Sequence, residues 1–139
     1  MMAALKKPKL EDLEFQMVFY EGILRQRPDF IDVLIVLGEI YTKKGFHEKG
    51  LKVDKKLSKL RPQNPIIHYN LACSFSLVGD TLNSFKAIKR AILLGYDDFI
   101  FMDSDPDLSN LRRDDRFTTF VKKIRKGSPN TQNAGQVHR

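Results

Sequence analysis

The apolar residues recur in blocks whose spacing changes little along the chain. Between Asp32 and Lys44 they fall at Leu34, Leu37 and Tyr41, with Val33 and Ile40 beside them. Steps of three and four put these side chains on one face of a helix. Gly45 follows as a turn residue, and a second apolar stripe at Leu51, Leu57 and Leu60 predicts a helix over 47–60 that ends before Arg61-Pro62. The plan then repeats: a helix over 65–78 with Ile67, Leu71 and Phe75 inward, a turn at Gly79-Asp80, and a helix over 81–94 closed by Gly95. Upstream, 10–27 reads as one more helix before Pro28. Its register is that of a second helix whose first helix is missing.

The repetition has a period of 34 residues. Pro28 falls on Pro62, Leu37 on Leu71, Tyr41 on Phe75, Gly45 on Gly79 and Leu60 on Leu94. A fixed period of this length is the signature of stacked helical repeats, in which no unit buries its apolar face alone. Leu34, Leu37-Gly38, Tyr41, Gly50 and Pro62, then Leu71-Ala72, Phe75, Ser84 and Ile88, resemble the tetratricopeptide-repeat (TPR) signature. Asp54 departs from it, standing in an aromatic slot. Small residues at Gly38, Gly50, Ala72 and Ser84 would let paired helices approach closely.

Tyr69–Gly79, Leu94-Gly95-Tyr96 and Asp105-Pro106-Asp107-Leu108, with Leu111-Arg112 and Arg116-Phe117, are similar to the end of bacterial repeat arrays. Asp105 suits an N-cap and Pro106 the first helical position. Asp114 or Asp115 would cap a last helix carrying Phe117, Phe120, Val121 and Ile124. The resemblance implies an all-α, right-handed alpha-alpha superhelix (a TPR solenoid) of helix hairpins with short C-terminal capping helices. Its expected parts are a flexible segment 1–9, a half repeat 10–28, repeats 30–62 and 64–96, a cap 97–125 and a disordered tail 126–139. Residues 10–125 form one domain in this reading.

Composition sharpens the picture little. The 139 residues are 42% hydrophobic, enough for a core. Cys73 is the sole cysteine, which excludes an internal disulfide and zinc-ligand spacing. Neither a signal-peptide pattern nor a membrane-length apolar run occurs, so a cytoplasmic location is expected. The net charge is +7 in alternating blocks: six basic and two acidic residues in 46–61, five aspartates in 97–107, seven basic and two acidic residues in 111–126.

Candidate chemistry is sparse. There is no phosphate-binding glycine loop and no H-E-x-x-H, and His47, His68 and His138 are far apart. His68 and Cys73 are five apart on one helix and point to different faces. Asp103, Asp105 and Asp107 alternate like the opening of a calcium loop, but Leu108 occupies the position that needs glycine. Capping explains them better. No enzyme activity, cofactor or metal is expected.

Beside the core stripe lies a second one that would line a concave groove: Ile35, Val36, Glu39 and Lys43 on one first helix, Tyr69, Asn70 and Leu77 on the next. Asn70 matches the asparagine with which many repeats of the family hold a peptide backbone. Ile35 and Glu39 stand where the family's carboxylate clamp needs a base and an asparagine, which argues against binding of a chaperone tail. The expected function is a non-enzymatic adaptor or scaffold for a peptide or protein. The alternative is an anion-surface binder, for nucleic acid or membrane. It would use Lys52, Lys55 and Lys56, repeated as Lys86, Lys89 and Arg90, as a convex ridge. The lack of interleaved aromatics argues against nucleic acid. Phe15 and Phe19 on the first helix are expected to leave an apolar face through which the chain could dimerise.

Overall fold

The computed structural model describes the backbone of residues 10–127 and the side chains of residues 12–127. The expectations for 1–9 and for most of the tail lie outside the described residues. One boundary is corrected: Lys126 and Gly127 belong to the last helix, not to the tail. All regular elements among the described residues are helical. They are α1 (Leu10–Gln26), α2 (Ile31–Lys44), α3 (His47–Leu60), α4 (Pro65–Leu77), α5 (Thr81–Leu93), α6 (Phe99–Ser104), a 3₁₀ turn (Pro106–Leu108), α7 (Ser109–Arg112) and α8 (Asp115–Gly127). They divide into two compact units, Met1–Leu60 and Arg61–Arg139.

In the first unit α2 packs against both α1 and α3. Leu34, Leu37, Ile40 and Leu57 are buried, as the 3.6-residue spacing requires. A Cβ on Gly38 would lie 3.4 Å from Asp54 Oδ1 and 3.6 Å from Val53 Cγ1. The missing side chain is therefore what lets α2 and α3 meet. Asp54 is buried at that crossing, so the carboxylate in the aromatic slot is accommodated where α2 offers no side chain. Gly45 ends α2 at φ 79°, a conformation costly for other residues. The Phe46 N–H then donates back to the Tyr41 carbonyl at 2.8 Å. Gly79, at φ 85°, closes the end of α4 in the same way, with the Asp80 N–H on the Phe75 carbonyl.

The second unit repeats the hairpin and adds a cap. Asn64 starts α4, accepting from the Ile66 and Ile67 N–H groups, with Pro65 in the first turn where its missing N–H is harmless. Asp80 caps α5 through the Asn83 N–H. Ala72 and Ser84 are buried where the helices meet, and the Ser84 hydroxyl donates to the Ala72 carbonyl at 2.7 Å. Met102, Leu108 and Leu111 from the segment after α5 are fully buried. The 3₁₀ turn and α7 pack on α4. Phe117 and Phe120 of α8 meet Phe85 edge-on at 6.5 and 5.6 Å, which seats the apolar face of the last helix.

Candidate functional site

In the first unit, α2 buries Val33, Leu34, Leu37 and Ile40 and turns the next stripe outward. Ile35 keeps 38% of its surface exposed, Glu39 and Lys43 are exposed, and Val36 is half-buried. Thr42 donates to the Gly38 carbonyl at 3.0 Å, so its hydroxyl is occupied within the helix. Neither Glu39 nor Lys43 forms an ion pair with any described residue. The helix beneath them is held firmly. Tyr41 Oη donates to Glu21 Oε2 at 2.5 Å, and Lys44 Nζ bonds Glu14 at 2.9 Å, both tying α2 to α1. Burial, and then the adjoining Glu21 carboxylate, push the Tyr41 phenol well above its ordinary pKa. The face carries one apolar side chain, one acid and one base in a row on a helix bonded to α1.

In the second unit the equivalent stripe is closed. Tyr69, which the sequence places on a groove, is only 4% exposed. Its ring stacks on Tyr96 at 4.3 Å, and its hydroxyl donates to Asp105 Oδ2 at 2.7 Å. The physical reason is the cap. Asp105 also accepts the Asp107 N–H through Oδ1 at 3.0 Å, so one carboxylate starts the 3₁₀ turn and fastens it to α4. Cys73 Sγ lies 3.7 Å from the same Oδ2. One turn further on, Ser76 Oγ accepts the Leu111 N–H at 3.2 Å, while Asn110 Nδ2 donates to the Ser76 carbonyl at 2.8 Å. Burial first, then Cys73 and the bond to Asp105, push the Tyr69 phenol far up; burial raises that of Tyr96 to about 12. Asn70 remains exposed and its side chain makes no hydrogen bond with any described residue, and Leu77 is half-buried.

The basic residues are partly neutralised. On α3, Lys52 and Lys55 are exposed, but Lys56 pairs with Asp29 at 3.1 Å. On α5, Lys86 and Arg90 are exposed, whereas the Lys89 ammonium sits 4.5 Å from the Phe85 ring centroid. The aspartates of 97–107 have separate tasks: Asp98 caps α6, Asp103 pairs with Arg125 at 2.8 Å, and Asp105 anchors the cap. Among the described residues no three His, Cys, Asp or Glu gather as a metal site would require. No helix among them is long and apolar enough to cross a membrane.

Sequence reasoning missed Asp105 as the partner of Tyr69. The signal was present only as a capping aspartate beside a proline, which says nothing of a contact 36 residues away. Comparison with known proteins adds a limited likeness. No family model matches the chain. It is 31% identical over 87 residues to a chloroplastic protein of Arabidopsis thaliana, a match covering 60% of this chain and 26% of that protein. The chain thus spans about a quarter of the length of the curated relative it matches.

Proposed function

We propose that this chain is a TPR-like helical-repeat module that binds a protein or peptide segment through the outer face of α2 and carries out no chemistry of its own. The repeat reading is supported by register. α2 and α4 begin at Ile31 and Pro65, and α3 and α5 at His47 and Thr81, each pair separated by the 34-residue period. The observation that carries the binding reading is the exposed row Ile35, Glu39 and Lys43 on a helix whose opposite face is fully packed. A rigid backbone keeps the ordering entropy of association low, and one apolar anchor flanked by an acid and a base suits a segment with a buried hydrophobic side chain.

Affinity capture with the intact chain, beside an Ile35→Lys/Glu39→Lys double variant and a Lys86→Glu/Arg90→Glu variant, tests this. A partner retained by the α5 variant and lost by the α2 variant supports the assignment. Identical capture by all three forms would sink it. Loss only in the α5 variant would favour an anion-binding surface instead, with strongly salt-dependent binding as its mark.

A further inference from the structure

Among the described residues of the first unit, α1 exposes three large apolar side chains on one face. Phe15 is 72% exposed, and Val18 and Phe19 are each 54% exposed. The two phenylalanine rings stack on each other at 6.4 Å, with no other element above them among the described residues. The repeat register makes Phe19 a packing position, whereas Val18 falls on Lys52 and Lys86, which are exposed. Adding the period of 34 to Phe19 gives Val53, and adding it again gives Ala87. Both are buried on their own helices, and Val53, together with Asp54, stands against Gly38 of α2. In the α2–α3 hairpin the side chain at this place thus meets a glycine of the neighbouring helix.

α1 supplies that complement itself. Gly22 lies two turns after Phe15 on the same face, and a Cβ built on it would meet only the flexible end of Arg25, at 3.6 Å. Reversing one copy of α1 about a two-fold axis between Val18 and Phe19 sets Phe15 opposite Gly22 and Val18 opposite Phe19, so that rings meet a gap. Charge points to the same orientation. Asp12 stands at the start of α1 and Arg25 in its last turn, and neither forms an ion pair with any described residue. Antiparallel pairing brings acidic starts to basic ends and opposes the helix dipoles.

We propose that the open face of α1 is covered by α1 of a second copy of this chain, packed antiparallel across a two-fold axis near Val18. This interface does not involve the outer face of α2, and it stands or falls separately from the binding role given to that face. A patch on one helix lies at the small end of stable interfaces, so the dimer forms in a concentration-dependent way.

Sedimentation equilibrium of the full chain from micromolar to millimolar concentration is expected to show a monomer–dimer transition. A Phe15→Glu/Phe19→Glu variant is expected to remain monomeric with an unchanged helical spectrum, because both side chains are exposed. Single cysteines then give the direction. In an antiparallel pair, Val18→Cys lies near the axis and cross-links, whereas Asp12→Cys positions stand roughly 20 Å apart along the helix and do not. A monomer throughout, or a dimer that persists in the double variant, overturns the proposal. Efficient cross-linking through Asp12→Cys overturns the antiparallel arrangement.

Discussion

The α2–α3 and α4–α5 hairpins occupy the same register, yet the outer stripes of their first helices have opposite fates. Ile35, Glu39 and Lys43 on α2 are exposed, whereas two of their counterparts 34 residues on, Tyr69 and Cys73, are buried beneath the cap and the third, Leu77, is half-covered. Side-chain chemistry explains why each stripe suits its fate. Glu39 and Lys43 have no described partners, and burying an unpaired charge would cost several kcal/mol. A phenol with one hydroxyl to satisfy, a thiol and a serine can be covered if the covering segment brings an acceptor and a donor. Asp105 and the Leu111 N–H are those groups. One repeat position is thus an open surface in one hairpin and a docking surface for the cap in the other.

The sharpest way to break this contrast is at the cap. Leu111→Ala removes a fully buried side chain and is expected to destabilise the second unit by about 2–5 kcal/mol, whereas Ile35→Ala should cost under about 1 kcal/mol. Chemical denaturation of both variants checks the ordering. The loosened cap should also make Cys73, buried in the native chain, react with a thiol reagent faster than in the parent protein.

Next in size is the carboxylate. Asp105→Ala strands the buried Tyr69 hydroxyl and removes the turn's cap, for an expected loss of about 2–3 kcal/mol. Tyr69→Phe should cost about 1–2 kcal/mol, and equal melting temperatures for Tyr69→Phe and the parent protein would show that the bond contributes nothing. Asn70→Ala should change stability by less than about 0.5 kcal/mol, since its amide has no described partner.

Two pH effects are smaller and lie at the extremes. The phenol pKa values of Tyr41, Tyr69 and Tyr96 are raised above 10.0, so the neutral forms favour the fold. Their contribution is complete below pH 10 and is lost as pH rises above it. An absorbance titration should therefore show these three rings ionising together with alkaline unfolding. At the other end, side-chain and backbone bonds with Arg116 hold Asp114 at about 2, from an ordinary 3.8. Its contribution is present above pH 3.8 and fades as pH falls toward 2. Amide exchange in the first turn of α8 should accelerate over that window relative to an Asp114→Asn variant, in which the acid-dependent contribution is absent.

The helices and their ends follow from local patterns along the chain. Apolar spacing and capping chemistry are local, so Pro65 after Asn64, the aspartates at 80, 105 and 114, and the glycines at 45 and 79 place element boundaries within a residue or two of those observed. Gly38, Ala72 and Ser84 were legible as sites of close approach for the same reason. Helix α6 was not legible, because six residues, Phe99–Ser104, carry too little periodicity to distinguish a helix from an apolar loop. The fate of Tyr69, Cys73 and Ser76 was not legible either. Such side chains suit a wet face or a covered one, and periodicity names their stripe without naming its neighbour. Their burial depends on whether a distant segment supplies hydrogen-bond partners in the right place. Asp105, 36 residues along the chain from Tyr69, supplies one.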